Sequence, residues 1–504
     1  MIEVLRQIAE KRSAKIKQLG FALGHEIPKQ RTTPLCPPRF SSPLLIAEIK
    51  RASPSSGKIG EINDPVKLAR FYLDCGAGAI SVLTEEDHFQ GSITDLVAVK
   101  NAHKNATILR KDFLQFKEEA EISYRMGADM VLVIIAMFLE DRKAFEALLL
   151  EILSYKLTPL FEIHNQEELD FILPYEPQIL GINMRSLHSF EIHKQKGILL
   201  KEQIPKGIKT IFESGIESDF DGYMIGACGF DGMLCGSYFV KNQQNKLSGL
   251  ISSYQKAQKN ESKFYAEIFQ RLTQNPPLIK ICGITNLDDA LLACKMGADM
   301  LGFIFPKSSP RHISIKAIKQ ISRALKTLYP HVLKIGVLLE DDEDLRQAKE
   351  LCAQNLLDAL QLHAPSALPY FGKEDLMRAN FNHYICINYE KPSDFPSKEY
   401  LPFVLLDSKS AQKGGSGKAI DLASLETLAQ NGQNLFVSGG IGPDNVKSLL
   451  DLGVKMLDIN SKIEGEIGRK DPTKMQEVFA KIHAHRAKNS KNSPSHPTTP
   501  TKEI

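Results

Sequence analysis

The sequence lacks the features that mark membrane and nucleic-acid-binding proteins. Its longest apolar stretch, residues 130–139, is about half as long as a membrane-spanning helix requires. The net charge is only +3, and no segment interleaves clustered basic residues with aromatic ones. We therefore expect neither a membrane nor a nucleic acid as partner.

Features of secreted and metal-dependent proteins are also missing. The eight cysteines are scattered and form no Cys-x-x-Cys pair, which disfavours a zinc site or a disulfide framework and suits a reducing compartment. Residues 1–15 have an amphipathic helix pattern without the uninterrupted apolar region of a signal peptide. No dinucleotide fingerprint or metal-ligand cluster occurs. We expect a cytoplasmic protein that needs no metal and no organic cofactor.

The chain is long enough for two barrels of about 250 residues each. Short apolar runs alternate with helical patterns, and each half of the chain offers eight strand candidates. In the first half they are residues 44–49, 79–84, 107–111, 129–135, 158–162, 179–183, 209–213 and 231–235. In the second half they are residues 277–282, 299–305, 332–337, 359–363, 383–387, 401–406, 434–438 and 455–460. Alternation of this kind predicts an α/β fold of two fused (β/α)8 TIM barrels.

Composition suggests where the domains end. We expect a first barrel with an amino-terminal helical extension at residues 1–258 and a polar, helical connector at residues 259–276. The second barrel should occupy residues 277–486. Residues 487–504 are nearly devoid of apolar side chains, so we expect a disordered tail there.

The two halves share a repeat of small residues after their last two strands. Ser214-Gly215 and Gly236-Ser237 follow strands seven and eight of the first half, and Ser438-Gly439-Gly440 and Asn460-Ser461 follow those of the second. The serines are 23 residues apart in each half. One such pair could be two ordinary tight turns. Two pairs at the same place in two barrels predict phosphate sites built from backbone N–H groups.

Charged residues gather at the predicted strand ends of the first half. Glu48 and Lys50 are two residues apart and therefore share one face of strand one. Other strands end on polar residues: Lys111, Glu162, Asn183, Arg185 and Glu213. Any one of them could be a structural ion pair. Together they indicate acid–base chemistry on an anionic, phosphorylated substrate.

The second half places a different set at its strand ends. Cys282 follows Lys280 by two residues and precedes a glycine. A lone cysteine is usually a small core residue, but a neighbouring lysine could lower the pKa of its thiol. Asp407 ends strand six and would face Cys282 as an acid–base partner. Arg311, after strand two, is a candidate for gripping a carboxylate.

The first half resembles the indole-3-glycerol-phosphate synthases. The segments that carry the resemblance occur in family order: IAEIKRASPSSG, SVLTEEDHFQGS, ILRKDF, FEIH, GINMRSL, FESGI and GMLCGS. The resemblance implies ring closure of 1-(o-carboxyphenylamino)-1-deoxyribulose 5-phosphate with loss of CO2 and water. It implies Lys111 as general acid, Glu162 as base or proton shuttle, and Lys50 as an anion-holding residue, although the sequence does not divide the acid role between the two lysines. Glu48 and Asn183 would orient the substrate. The remaining substrate-binding positions would be Ser53, Phe89, Arg185, Glu213, Ser214, Gly215, Gly236 and Ser237.

The second half resembles the phosphoribosylanthranilate isomerases. The segments are KICGIT, GFIFPKSSPRHIS, LQLHA, LLDSKSAQKGGSGKAID, FVSGGI and LDINSKIEGEIGRKD. The resemblance implies an Amadori rearrangement in which Asp407 protonates the ribose ring oxygen and Cys282 removes the C2′ proton. Arg311 would hold the anthranilate carboxylate, with Gln361 and His363 in support. The phosphate would lie on Gly415, Gly439, Gly440, Asn460 and Ser461.

Two alternatives belong to other classes. Another sugar-phosphate barrel enzyme, such as the ribonucleotide isomerase of histidine biosynthesis, would also have paired phosphate turns but should use paired aspartates. A catalytically inactive barrel scaffold should have eroded sites, whereas both halves keep their key residues. The two implied activities are consecutive, which gives the fusion a biological logic. The expected ligands are phosphorylated anthranilate compounds, and we expect the chain to be monomeric.

Overall fold

The structure is a computed structural model that describes residues 3–40, 43–53, 57–58, 62–236, 245–260, 262–274, 276–339, 342–364, 381–396, 402–408 and 419–492. Contacts between Cα atoms divide the chain into two compact units, the first reaching Ala266 and the second beginning at Glu267.

The first unit contains a closed barrel of eight parallel strands. The strands are β1 Leu44–Ile49, β2 Ala79–Leu83, β3 Thr107–Lys111, β4 Met130–Ile134, β5 Thr158–Ile163, β6 Ile179–Asn183, β7 Lys209–Glu213 and β8 Gly232–Cys235. Strand β1 closes the ring by pairing with both β2 and β8. The helices of this unit are α1 Glu3–Leu19, α2 Pro65–Asp74, α3 Ile93–Ala102, α4 Glu118–Met126, α5 Arg142–Ser154, α6 Gln166–Ile172, α7 Lys194–Lys201, α8 Asp219–Ala227 and α9 Asn245–Lys259.

The second unit contains another closed barrel of eight parallel strands. They are β9 Leu278–Ile281, β10 Met300–Ile304, β11 Leu333–Leu338, β12 Ala359–Ala364, β13 His383–Tyr389, β14 Val404–Ser408, β15 Phe436–Ser438 and β16 Met456–Ile459. Helix α10, Phe264–Gln274, spans the boundary between the units. The later helices are α11 Leu287–Met296, α12 Ile315–Leu328, α13 Asp342–Ala353, α14 Leu422–Gln430, α15 Val446–Asp451 and α16 Pro472–Asn492. The prediction of two TIM barrels is confirmed.

Local sequence signals explain where helices end and the next strands begin. Helices α4 and α11 end on Gly127 and Gly297, whose φ angles of 98° and 100° place them in the left-handed region that glycine tolerates best. Each strand that follows is almost completely buried, as expected for a parallel sheet covered by helices. The apolar runs therefore form the barrel walls, and their polar last residues reach the barrel mouths.

Most observed strands lie within one or two residues of the predicted ones, and the larger differences are a shifted strand, two hairpins and the last helix. Strand β14 was expected at residues 401–406 but spans Val404–Ser408, and Pro402, which has no N–H to donate to a ladder, precedes it. Two short antiparallel hairpins were not predicted, one pairing Ala52–Ser53 with Gly57–Lys58 and one pairing Glu464–Glu466 with Arg469–Lys470. The tail expected to be disordered from residue 487 is helical as far as Asn492, because its Lys- and Ala-containing start favours a helix.

Candidate active sites

The first barrel has a cavity of about 160 Å3 at the carboxyl ends of its strands. Among its lining residues are eleven that the sequence predicted: Glu48, Lys50, Phe89, Lys111, Glu162, Asn183, Arg185, Glu213, Ser214, Gly215 and Gly236. The side chain of Ser53 and all of Ser237 lie outside the described residues. Strand ends from opposite sides of the barrel thus meet in one place, as the parallel closed sheet requires.

Lys111 is the electrostatic centre of this cavity. Its Nζ donates to Oε2 of Glu213 at 2.7 Å and to Oε2 of Glu162 at 3.4 Å. Burial alone would lower the pKa of Lys111, but Glu213, Glu162 and Glu48 together raise it well above its usual value. The lysine is therefore a protonated donor at neutral pH.

The two carboxylates that hold Lys111 differ in protonation. Burial would raise the pKa of Glu162, but Lys111 and His164 hold it well below its usual range. Burial and the nearby charge of Glu162 raise the pKa of Glu213 to about 7, against the attraction of Lys111. Asn183 also hydrogen-bonds Glu162. The cavity thus pairs an ionised carboxylate with one that takes up a proton near neutrality.

Two buried carboxylate oxygens in this cavity have no hydrogen-bond partner among the described residues. They are Oε2 of Glu48 and Oε1 of Glu213. The other Glu48 oxygen lies 2.5 Å from Nζ of Lys50. Buried polar atoms normally have a partner, so these oxygens suit a ligand that brings hydroxyl or amine protons.

The opposite wall of the cavity is apolar, and part of it comes from helix α1. Val4, Leu5 and Ile8 of that helix line the cavity together with Phe89 and Phe113. The two phenylalanine rings lie 5.9 Å apart between centroids. A ligand with one aromatic and one anionic part would match a cavity that is apolar on one side and charged on the other.

The turn after β7 has the geometry of a phosphate cradle. Ser214 and Gly215 both have positive φ angles, 69° and 78°, which turns successive backbone N–H groups to one side. A Cβ on Gly236 would press against the side chain of Glu48. Gly236 is therefore a position where the close approach of Glu48 requires glycine.

The second barrel has a larger cavity of about 510 Å3 at its strand ends. The predicted residues that line it are Cys282, Arg311, Gln361, His363, Asp407, Gly439, Gly440, Asn460 and Ser461. Gly415 lies outside the described residues.

Cys282 does not have the lowered pKa that its neighbour Lys280 suggested. Burial raises the pKa of the thiol and outweighs the attraction of the lysine. The ammonium of Lys280 is already engaged, since it donates to Asp458 at 2.6 Å and to Gln361 at 2.7 Å. Of the two alternatives that the sequence left open, the lowered thiol pKa is therefore the one that the structure does not support.

Burial has the same effect on the other acid of this cavity. The pKa of Asp407 is raised by burial, against bonds from Ser438 and Ser408 that lower it. A carboxyl group with a raised pKa is a better proton donor near neutrality. Asp407 and Cys282 are thus two weak acids at one mouth, each suited to move a proton.

His363 is neutral and held by Gln361. Burial lowers the pKa of His363 to about 4. Lys280 and Tyr384 both donate to Oε1 of Gln361, so its Nε2 must donate to Nε2 of His363 at 2.9 Å. His363, Cys386 and Asp407 have ligand atoms within 4.8 Å of one another, as a metal site would. An ion bound through Nε2 would have to break the bond from Gln361.

Arg311 reaches the cavity but is also paired inside the protein. Its Nε and Nη2 donate to the Glu464 carboxylate at 2.9 and 2.7 Å. Lys470 donates to the same carboxylate at 3.1 Å and to Oδ1 of Asn460 at 2.8 Å. The short hairpin after β16 therefore fixes both the arginine and the turn that was predicted to hold phosphate.

Gly439 shows why small residues occupy the second cradle. Its φ angle is 89°, and a Cβ there would overlap the side chain of Ser408. Any larger residue would push β14 and β15 apart at the mouth.

Sequence reasoning missed several residues that shape the sites. His164, Asp458, Glu464 and Lys470 were not singled out. Asp458 could have been found, because a lysine in a fully buried strand needs a counter-ion and Asp458 is the register partner of Lys280 on β16. His164 lies two residues after Glu162 and so shares its strand face, the rule that had linked Glu48 with Lys50.

None of the helices that the structure describes is long and apolar enough to cross a bilayer.

Comparisons with known proteins agree with this division into two sites. Residues 10–249 match the family profile of indole-3-glycerol phosphate synthase, and residues 279–481 match that of N-(5'phosphoribosyl)anthranilate (PRA) isomerase. The chain is 29% identical to the tryptophan biosynthesis protein TrpCF of Helicobacter pylori, over 86% of this chain and 88% of that protein. It is 28% identical to the TrpCF protein of Yersinia pestis, with 88% and 85% covered.

Longer and shorter relatives are also similar. The chain is 28% identical to the multifunctional tryptophan biosynthesis protein of Schizosaccharomyces pombe and spans 59% of that protein's length, with 86% of this chain covered. Among solved structures, phosphoribosyl anthranilate isomerase from Thermus thermophilus is 32% identical, with a TM-score of 0.35, and covers 42% of this chain and 100% of its own.

Proposed function

We propose that each barrel mouth is the active site of one of two activities. The chain belongs to the bifunctional indole-3-glycerol phosphate synthase and phosphoribosylanthranilate isomerase family of tryptophan biosynthesis. The chain is a multifunctional enzyme, a lyase in its first TIM barrel and an isomerase in its second. We place the synthase domain at residues 1–258, the connector at 259–276 and the isomerase domain at 277–486, with its last helix continuing to Asn492.

The isomerase acts first. Asp407 protonates the ribose ring oxygen of phosphoribosylanthranilate, and the ring opens to a Schiff base. Cys282, after losing its own proton, takes the C2′ proton as the thiolate, and the resulting enolamine tautomerises to the ketone, 1-(o-carboxyphenylamino)-1-deoxyribulose 5-phosphate. The raised pKa of Asp407, caused by burial, supports its role as the proton donor.

Substrate is held at both of its anionic ends. The carboxylate of the anthranilate lies on Arg311, whose orientation Glu464 fixes through Nε and Nη2. The phosphate lies on the turns of Gly439-Gly440 and Asn460-Ser461, with Gly415 as a further contact, while Gln361 and His363 support the site from below.

The synthase then closes the indole ring. Lys111 acts as general acid at the substrate carbonyl, and Glu162 as the base in the dehydration that follows loss of CO2. Lys50 holds the substrate anion, and Glu48 and Asn183 orient its hydroxyl and amine groups. The single observation that carries this assignment is the position of Lys111, 2.7 Å from Glu213 and 3.4 Å from Glu162, where it is charged, buried and next to a base.

The remaining cavity residues bind the substrate. Phe89 contacts the aromatic ring, with Ser53 above the substrate. Arg185, Glu213 and the turns Ser214-Gly215 and Gly236-Ser237 take the polar groups and the phosphate. Arg185 supports an anionic ligand because it is only half-buried and lines the cavity.

The test uses the full chain and freshly prepared phosphoribosylanthranilate. Loss of anthranilate fluorescence reports the first step, and formation of indole-3-glycerol phosphate reports the second. Wild type should perform both. Cys282→Ala should stop the first step only, while it still converts added carboxyphenylamino-deoxyribulose phosphate. Lys111→Ala should accumulate that intermediate. A wild-type chain that consumes no substrate would contradict the assignment, and each variant controls for the folding of the other barrel.

We also propose that the enzyme is a cytoplasmic monomer, because one chain supplies the described lining of both cavities and because its scattered cysteines suit a reducing compartment. Sedimentation equilibrium should give a mass near 56.2 kDa. A mass twice as large would contradict the monomer.

A further inference from the structure

His164 lies beside Glu162, the proposed base of the synthase, and is almost completely buried. The reaction described above gives His164 no role. His164 follows Glu162 by two residues at the end of β5, so both side chains point to the same face. Its Nε2 lies 3.3 Å from Oε1 of Glu162, and its Nδ1 lies 3.0 Å from Oε2 of Glu168. The imidazole therefore bridges two carboxylates.

Glu168 is itself rigidly held by the start of helix α6. Its Oε2 accepts the backbone N–H of His164 at 2.8 Å, and its Oε1 accepts Nδ2 of Asn165 at 2.7 Å. Asn165 is the N-cap of the helix, and its side chain accepts the N–H of Glu168 at 3.0 Å. Glu168 is 1% exposed and lies in the first helical turn, where the helix dipole stabilises a negative charge.

The contacts form a row of alternating charges that runs from helix α6 into the cavity. Glu168 is followed by His164, then Glu162, then Lys111, then Glu213 on β7. Each charge lies between two of opposite sign, apart from the ends of the row. In a buried site such an order stabilises every member, and loss of one member leaves its neighbours with an uncompensated charge.

We propose that His164 is a positioning residue for the synthase reaction: clamped by Glu168, its imidazolium fixes the carboxylate of Glu162 and keeps it ionised for proton transfer. His164 does not line the cavity, so it acts through Glu162. Its charge is supported by Glu162 and Glu168, which raise the pKa of His164 to about 10 against the effect of burial. The inference rests on the proposed role of Glu162.

The contact geometry is consistent with a charge effect. The Nε2 atom forms no aligned hydrogen bond among the described residues, although Glu162 is only 3.3 Å away. The close approach of the imidazole to Glu162 lowers the pKa of that carboxyl, and loss of the imidazole should appear in the titration of Glu162.

The experiment compares wild type with His164→Gln and Glu168→Gln in the full chain. Added carboxyphenylamino-deoxyribulose phosphate isolates the synthase step, and kcat, KM and the pH profile of kcat are measured. An opposite charge at this distance typically lowers a carboxyl pKa by about 1–3 units. His164→Gln should therefore move the acidic limb of the profile upward by about one pH unit or more. Because the carboxylate of Glu162 also loses its fixed position, kcat should fall about tenfold at neutral pH while KM stays within about twofold. Glu168→Gln should shift the limb in the same direction.

His103→Gln is the matched control. His103 follows the end of α3, its Nε2 contacts the backbone oxygen of Val66 in α2, and it does not line the cavity. His103→Gln should leave the profile unchanged. The isomerase activity of every variant reports that the second barrel is folded, and a KM for the synthase substrate within about twofold of wild type reports the same of the first. Lowered kcat in His164→Gln with an unmoved acidic limb would overturn the inference and leave a packing role. So would unchanged kinetics in both test variants. A wild-type chain without synthase activity would instead refute the proposed function.

Discussion

The buried pair of Lys280 and Asp458 should hold the second barrel closed, and its loss should be costly. The two residues face each other on β9 and β16, the first and last strands of the ring. Their Nζ and Oδ2 atoms lie 2.6 Å apart, and the side chains are 0% and 3% exposed. Two unit charges at this separation attract by about 6 kcal/mol at an effective dielectric constant of about 20, and part of this offsets their desolvation.

The perturbation is Asp458→Asn, which keeps the shape of the side chain and removes its charge. It leaves the Lys280 ammonium buried with only neutral partners, of which Gln361 is one at 2.7 Å. Removing one member of a buried pair usually costs about 3–5 kcal/mol, and the remaining hydrogen bonds place the expected loss near the lower end, about 3 kcal/mol.

Hydrogen exchange read by mass spectrometry measures the loss strand by strand. Peptides that cover β9 and β16 should open more easily by that amount, and peptides of the first barrel should not change. Asp451→Asn is the matched control, since Asp451 pairs with Lys447 at 2.5 Å with side chains that are 58% and 73% exposed. It should leave the exchange of every peptide unchanged, because an exposed ion pair contributes little to stability. A change below about 1 kcal/mol in Asp458→Asn would refute the reasoning.

Two further predictions concern the first barrel. Gly181→Ala should lower synthase activity by at least about tenfold while isomerase activity stays intact. The reason is that the added Cβ would overlap the Glu213 carboxylate, which holds Lys111. Unchanged synthase kinetics would contradict this prediction. Burial would raise the pKa of Asp112, but Arg12 and Arg110 hold that pKa well below its usual range. The ionised Asp112 therefore stabilises the fold at any pH above its unfolded-state pKa of about 4, and this stabilisation is lost as the pH falls further. The Tm of the first barrel should therefore fall steeply below about pH 4, and Arg12→Met should make that fall shallower; equal slopes would disprove the link.

The barrels and the strand ends could be predicted because they follow from local pattern. An apolar run that stops at a charged residue, as at Lys111 or Glu213, marks both a strand and its carboxyl end. In a closed parallel barrel all such ends share one mouth, so the residues meet even though they are far apart in sequence. The lining of both cavities is consistent with this argument.

The partners of these residues could not be predicted in the same way. Lys280 lies two residues before Cys282 in the sequence, which suggested a lowered thiol pKa. The lysine instead pairs with Asp458, 178 residues away, and burial raises the pKa of Cys282. Arg311 meets Glu464 through a hairpin that no sequence signal marked. A charge near a residue in sequence is therefore a poor guide to its pKa when a distant partner can take that charge.

The two barrels share one fold but differ in which charged and titratable side chains line their cavities. In the first, Lys111 lies in the cavity itself between two carboxylates, and charged groups face the substrate. In the second, Lys280 is completely buried and paired with Asp458, and the cavity is lined by Arg311 together with Cys282 and Asp407, whose pKa values burial raises. Synthase activity should therefore depend on keeping several charges in balance, whereas isomerase activity should depend on two acids whose pKa values are raised by burial. One fold can then host a decarboxylating ring closure and a proton-transfer isomerisation, because the chemistry is set by the charged and titratable groups that the strand ends carry.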